Sequence, residues 1–143
     1  MQKKSLINGL LFLTLLGLAT SLYLVYNHYY PHLQGGICDI TAAVSCTVVN
    51  SGIYSTIFGI PVAFYGVLWF LILGIFSWKS GQDKKAIPKL LGWNILGMAF
   101  VLYFVYLEYL LSRICPFCTV VHILVVLSLI ISIFLYKQFY KYA

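Results

Sequence analysis

Cys115-Pro116-Phe117-Cys118 opens a long apolar run, and the other two cysteines, Cys38 and Cys46, lie in a polar stretch nearer the N-terminus. C-x-x-C is the spacing of dithiol redox chemistry. At a helix N-terminus the first cysteine meets unsatisfied N–H groups and the positive end of the helix dipole, which stabilise its thiolate. Pro116 supports that placement, because proline suits the first helical position, where its missing N–H is not needed. A static disulfide framework accounts for Cys38 and Cys46. It accounts poorly for Cys115 and Cys118, since closing a two-residue loop constrains very little. A zinc site built from all four is disfavoured by the long spacing of Cys38 and Cys46. Haem attachment is disfavoured because Thr119 stands where C-x-x-C-H requires histidine. No metal is expected.

The elements that must position these thiols are membrane spans. Hydrophobic residues make up 62% of the 143-residue chain and charged residues 8%, against about 25% charged in an average soluble domain. A transmembrane helix needs about 20 mainly apolar residues. Four such runs are present, roughly residues 5–27, 58–78, 89–111 and 116–136. The expected fold is an all-α integral membrane protein: a four-transmembrane-helix bundle whose external loop, residues 28–57, carries a cysteine pair. Short connections predict one transmembrane domain over residues 1–143.

Charge sets the expected orientation. Lys3 and Lys4 precede the first run, Lys79, Lys84, Lys85 and Lys89 lie between the second and third, and Lys137 and Lys141 follow the fourth. The opposite side carries only Arg113. The positive-inside rule then places both termini in the cytoplasm and both dithiols on the external or periplasmic face of the cell membrane. The net charge of +6 is thus a topology signal, and no nucleic acid is expected as a partner. The first apolar run is too long for a signal peptide and no small-x-small site closes it, so it is read as a retained helix. Tyr23, Tyr26, Tyr29 and Tyr30 at its outer end, and Tyr136, Phe139, Tyr140 and Tyr142 at the inner end of the fourth run, suit interfacial aromatic belts.

Periodicity adds residues to the site. Positions 115, 118 and 122 follow i, i+3, i+7, which puts His122 on the cysteine face about one turn deeper. There it could hydrogen-bond a ligand carbonyl or carry a proton to it; the alternative is a neutral histidine bonded to a neighbouring helix. Asn94, Gly97, Val101, Phe104 and Glu108 share one face of the third run. Glu108 is a candidate proton relay, with pairing to Arg113 or loop capping as the structural alternative, while Asn94 suits a bond between helices. The stretch from Thr47 to Pro61 alternates apolar and small polar residues and could roof the bundle mouth.

Together these residues resemble the vitamin K epoxide reductase family, particularly its bacterial and archaeal members. The resemblance rests on the four spans, Cys38-Asp39-Ile40 through Ser45-Cys46, Phe58-Gly59-Ile60-Pro61, and Cys115 to Cys118 opening the fourth helix. It implies that Cys118 acts next to a quinone of the ubiquinone, menaquinone or vitamin K type. It also implies that Cys115 exchanges disulfides with Cys46, and that Cys38 meets a thioredoxin-fold, DsbA-like redox protein. His122, Ser51 and Phe58 are the other residues expected around the quinone. The serine pair of many relatives is Ser51-Gly52 here, so the second serine's hydrogen bond does not carry over. His122 stands where the animal enzymes resemble a tyrosine pattern, and their asparagine on the second helix is absent around Gly59-Ile60-Pro61. These departures favour a microbial quinone reductase that drives disulfide formation over an epoxide reductase. A structural subunit with static disulfides is the reading from another class.

Overall fold

The computed structural model describes residues 2–30 and 38–141. Part of the expected external loop, residues 31–37, and Tyr142 of the expected inner aromatic cluster lie outside the described residues.

Four long helices are apolar enough to cross a membrane: α1 (Gln2–Tyr29), α3 (Val62–Gln82), α4 (Ile87–Leu111) and α5 (Pro116–Tyr136). A short helix, α2 (Cys46–Ser51), and a two-stranded hairpin, β1 (Thr56–Ile57) with β2 (Ile60–Pro61), occupy the connection between α1 and α3. The chain is an all-helical, multi-pass membrane bundle with cysteines in a loop at one end. Its helices pack in a ring, α1 on α3, α3 on α4, α4 on α5 and α5 back on α1.

The bundle is apolar outside, and inside it mixes apolar side chains such as Leu10, Phe70 and Leu73 with small polar ones. Leu102 and Phe12 are each 61% exposed, as suits contact with lipid tails. The buried faces also carry Thr14, Ser21, Ser77, Asn94, Ser128 and Ser132. Lipid is as apolar as leucine, so helices associate through small residues, close packing and hydrogen bonds. Asn94 is the clearest instance: its Nδ2 donates to Ser132 Oγ at 2.9 Å and its Oδ1 accepts from Ser128 Oγ at 2.5 Å, joining α4 to α5. The bond between helices expected of Asn94 is therefore present. Gly17 and Gly97 let aromatic rings close in; a Cβ on Gly97 would sit 2.5 Å from Trp69 Cζ2.

The second span begins four residues later than the apolar run suggests. Phe58 and Gly59 both have positive φ, 53° and 77°. They form the two-residue turn of the β1–β2 hairpin, a geometry that hairpins favour and that glycine accepts at no steric cost. Pro61 then caps α3. At the far end of α3, Asp83 ends the helix and accepts a hydrogen bond from Lys85 N at 2.9 Å, opening a single 3-10 turn before α4. Ser112, with φ of 49°, ends α4 in a left-handed cap, and four residues later α5 begins.

Candidate functional site

Cys115 is the N-cap of α5, with Pro116 in its first turn. Its Sγ accepts a hydrogen bond from the backbone N–H of Cys118 at 3.2 Å. The C-x-x-C thus stands where unsatisfied helix N–H groups stabilise negative sulfur. Cys115 and Cys118 form a disulfide, Cα to Cα 5.2 Å.

The second disulfide, Cys38–Cys46, has a Cα separation of 5.5 Å. Its position follows from three sets of contacts. Asp39 accepts from Ser45 Oγ and from Thr47 Oγ1, each at 2.6 Å, and from Thr47 N at 3.2 Å. Ser45 Oγ in turn accepts from Val48 N and caps α2. These bonds favour the charged carboxylate, so Asp39 titrates below the ordinary aspartate range, the Ser45 hydroxyl being the largest cause and the Thr47 hydroxyl the next. Second, the backbone around Val44 forms a parallel bridge with Ile114, through Ser45 N to Ile114 O at 3.1 Å and Ile114 N to Ala43 O at 2.9 Å. Third, the far end of α2 is tied to α1, where Asn50 Nδ2 donates to Leu24 O at 2.7 Å and His28 Nδ1 lies 2.6 Å from Asn50 O.

Bound on both sides, the loop sets Cys46 Sγ 3.3 Å from Cys115 Sγ. Both residues are fully buried, and Cys38 is 4% exposed. Leu24 and Ala63 share the cluster, with Phe117 packed against it. Phe117 also meets Tyr23 of α1, ring centroids 4.7 Å apart. The sulfurs run in a row: Cys38 to Cys46, across to Cys115, and on to Cys118.

Cys118 faces a cavity of about 660 Å³ enclosed by α1, α3, α4 and α5. Its walls include Trp69, Trp93, Phe100 and Phe104, while His122 and Glu108 also line it. The side chain of Glu108 carries a buried Oε1 without a hydrogen-bond partner among the described residues, as does Trp69 with Nε1. An aromatic-walled cavity with unpaired buried polar atoms fits a ring that carries carbonyl oxygens on an apolar body.

The face of α5 carrying Cys118 and His122, and the α4 face of Gly97, Val101, Phe104 and Glu108, both line this cavity. His122 makes no hydrogen bond to a neighbouring helix among the described residues. From the connection, Val49, Asn50, Tyr54, Ser55 and Ile57 reach the cavity and roof it. Phe58 lines its rim, although the ring is 97% exposed. Ser51 is on the exposed side of α2 and outside the lining, whereas its neighbour Asn50 is buried within it. The sequence reading missed the parts played by Asp39, His28 and Asn50. Asp39 had one signal, a carboxylate six residues before Ser45-Cys46-Thr47, a capping composition in want of a helix. His28 and Asn50 had none short of tertiary packing.

Residues 9–133 match the model described as the vitamin K epoxide reductase family. No curated protein matches the chain. The match runs through all four spans and all four cysteines, and so the chain belongs to the vitamin K epoxide reductase family, whose members join thiol chemistry to quinones within the membrane.

Proposed function

We propose that this chain is a membrane thiol:quinone oxidoreductase, one transmembrane unit that reoxidises a thioredoxin-fold, DsbA-like protein and so drives disulfide formation. The carrying observation is the 3.3 Å approach of Cys46 Sγ to Cys115 Sγ, between two disulfides of which the deeper ends at a cavity. The lysine distribution supports cysteines facing the outside or periplasm and termini in the cytoplasm.

Each step is an attack of thiolate on disulfide. A partner thiolate attacks Cys38 and frees Cys46, and the partner's second cysteine resolves that mixed disulfide, leaving Cys38 and Cys46 reduced. The Cys46 thiolate attacks Cys115 and expels Cys118. Cys38 then attacks Cys46, which re-forms the loop disulfide and leaves Cys115 and Cys118 as the reduced pair. A quinone of the ubiquinone, menaquinone or vitamin K type supplies the sink for two electrons and two protons. Cys118 lies beside it, and the aromatic walls hold its ring and keep water away. The Cys118 N–H on Cys115 Sγ favours Cys115 as leaving group and as thiolate alike.

The test is anaerobic quinone reduction by the purified protein with a reduced thioredoxin-fold donor. Native turnover is expected, with loss in Cys46→Ala and Cys118→Ala. Cys118→Ala should also accumulate a Cys46–Cys115 disulfide in peptide mass maps. Four cysteines inert to reductant and no native turnover would sink the proposal in favour of a structural subunit, and turnover of an epoxide would favour reductase chemistry.

A further inference from the structure

A second cavity, also about 660 Å³, lies between α4 and α5 and reaches the mouth of the bundle at Ala43, Ser112 and Arg113. It and the inner cavity share two residues, Glu108 and His122. Those two side chains are therefore the partition between the space that Cys118 faces and the space that opens toward the polar end. A carboxyl and an imidazole are the protein's best proton carriers near neutral pH, and an ionisable group placed at membrane depth demands a function or a partner. Glu108 lacks a partner for Oε1 among the described residues. The alternative pairing with Arg113 is not formed; Arg113 donates its backbone N–H to the Glu108 carbonyl instead.

We infer that Glu108 and His122 form a proton relay that carries the proton of Cys115 to the quinone and connects it to the bundle mouth. This rests on the proposed thiol:quinone chemistry. As the Cys115–Cys118 disulfide forms, the proton released by Cys115 passes to Glu108, crosses by way of water in the shared space to His122, and is donated by His122 to a quinone oxygen. Cys118, which faces the same cavity, supplies the second proton. The balance closes: the two thiols lose two electrons and two protons, the quinone gains both, and Glu108 and His122 end each cycle in their starting state. The outer cavity lets Glu108 exchange protons with water when the inner one is filled. The other titratable groups lining the two cavities are Cys118, Arg113 and the phenols Tyr54, Tyr65 and Tyr109. Tyr65 is already committed, donating to Ile57 O at 3.1 Å.

The experiment pairs two readouts on the purified protein. In quinone-free protein, infrared difference spectra are recorded as Cys115–Cys118 is electrochemically reduced and reoxidised. A carboxyl band that changes with the redox step and vanishes in Glu108→Gln is expected. In the second, quinone reduction by Glu108→Gln falls about 100-fold, the lower end of the range for loss of a general acid–base group. Formate or azide restores part of it, Glu108→Asp lies between, and imidazole partly rescues His122→Ala. Rescue by a small acid also shows that the variant is folded, and Tyr103→Phe, exposed and outside both cavities, serves as the control. A native protein that reduces quinone, with Glu108→Gln equally fast or slow but unrescued, and no Glu108 band, overturns the relay. A native protein that shows the band yet reduces no quinone leaves Glu108 as a proton acceptor and sinks the quinone reading instead.

Discussion

The two disulfides are held in opposite ways. Cys115–Cys118 is fixed by a single local device, the start of α5, where Pro116 and the Cys118 N–H set the geometry within four residues. Cys38–Cys46 spans eight residues and owes its place to distant groups: Asp39 on the α2 cap, Ile114 on the backbone bridge, and Asn50 on α1. The helix pair sits by the cavity and the loop pair sits at the mouth. On the proposed thiol:quinone chemistry, the difference separates a pair that stays registered with a bound ring from one that a protein must reach. Local geometry gives the first its precision, and a set of individually weak bonds gives the second its ability to let go.

Breaking the bridge should have the largest effect on that contrast. Ile114→Pro removes the N–H bonded to Ala43 O, a loss of about 1 kcal/mol for one backbone bond. Electron transfer from Cys46 to Cys115 should slow roughly fivefold, since about 1.4 kcal/mol is a factor of ten. Stopped-flow thiol trapping checks this, and reduction of Cys115–Cys118 by a small dithiol should stay near normal. Equal slowing of both steps would mean that the helix pair, too, depends on the loop.

Asp39→Asn should act more mildly, because Asp39 is exposed and its charge is screened by water. The amide keeps one acceptor for Ser45 and Thr47 but loses the charge. Reduction of Cys38–Cys46 by a small thiol should become a few-fold faster, while the Cys115–Cys118 rate holds. The smallest effect is the pH dependence of the same contact. The carboxyl of Asp39 is lowered in the folded loop by its bonds to Ser45 and Thr47, so its stabilising contribution is fully present above the unfolded value of about 3.9. It is lost as pH falls through the lowered folded value. Hydrogen exchange at Thr47 N–H, measured from neutral to strongly acidic pH, should lose protection only at the acid end, and Asp39→Asn should flatten that profile.

Much of this arrangement is legible in the sequence because it is local. Four apolar runs declare four helices by length alone, and C-P-F-C marks the start of α5 through the chemistry of its own residues. The hairpin was hidden because Phe58-Gly59 lies inside an apolar stretch that reads as helix, and only the backbone reveals positive φ at a phenylalanine. Ser51 was placed by resemblance, and helical periodicity in α2 turns it outward while Asn50 turns in. The inner cavity is hidden for a different reason: Trp69 and Phe70, packed over Gly97 and Gly17, line it together with side chains from several helices, which no single segment encodes. Cys118, His122 and Glu108 were legible as faces of helices, yet which spaces those faces border was not.

The 3.3 Å approach of Cys46 to Cys115 also changes what a redox measurement on this protein can mean. Groups held in contact react as though each were dissolved at enormous concentration, with effective molarities that reach about 10⁵ to 10⁸ M in well-oriented cases. On the proposed relay, electrons placed on either dithiol therefore redistribute within the row faster than an external reductant arrives. The four sulfurs form one reservoir, and the potentials read from a titration belong to the quartet as a whole, in the way that the protons of a tightly coupled acid pair belong to neither member.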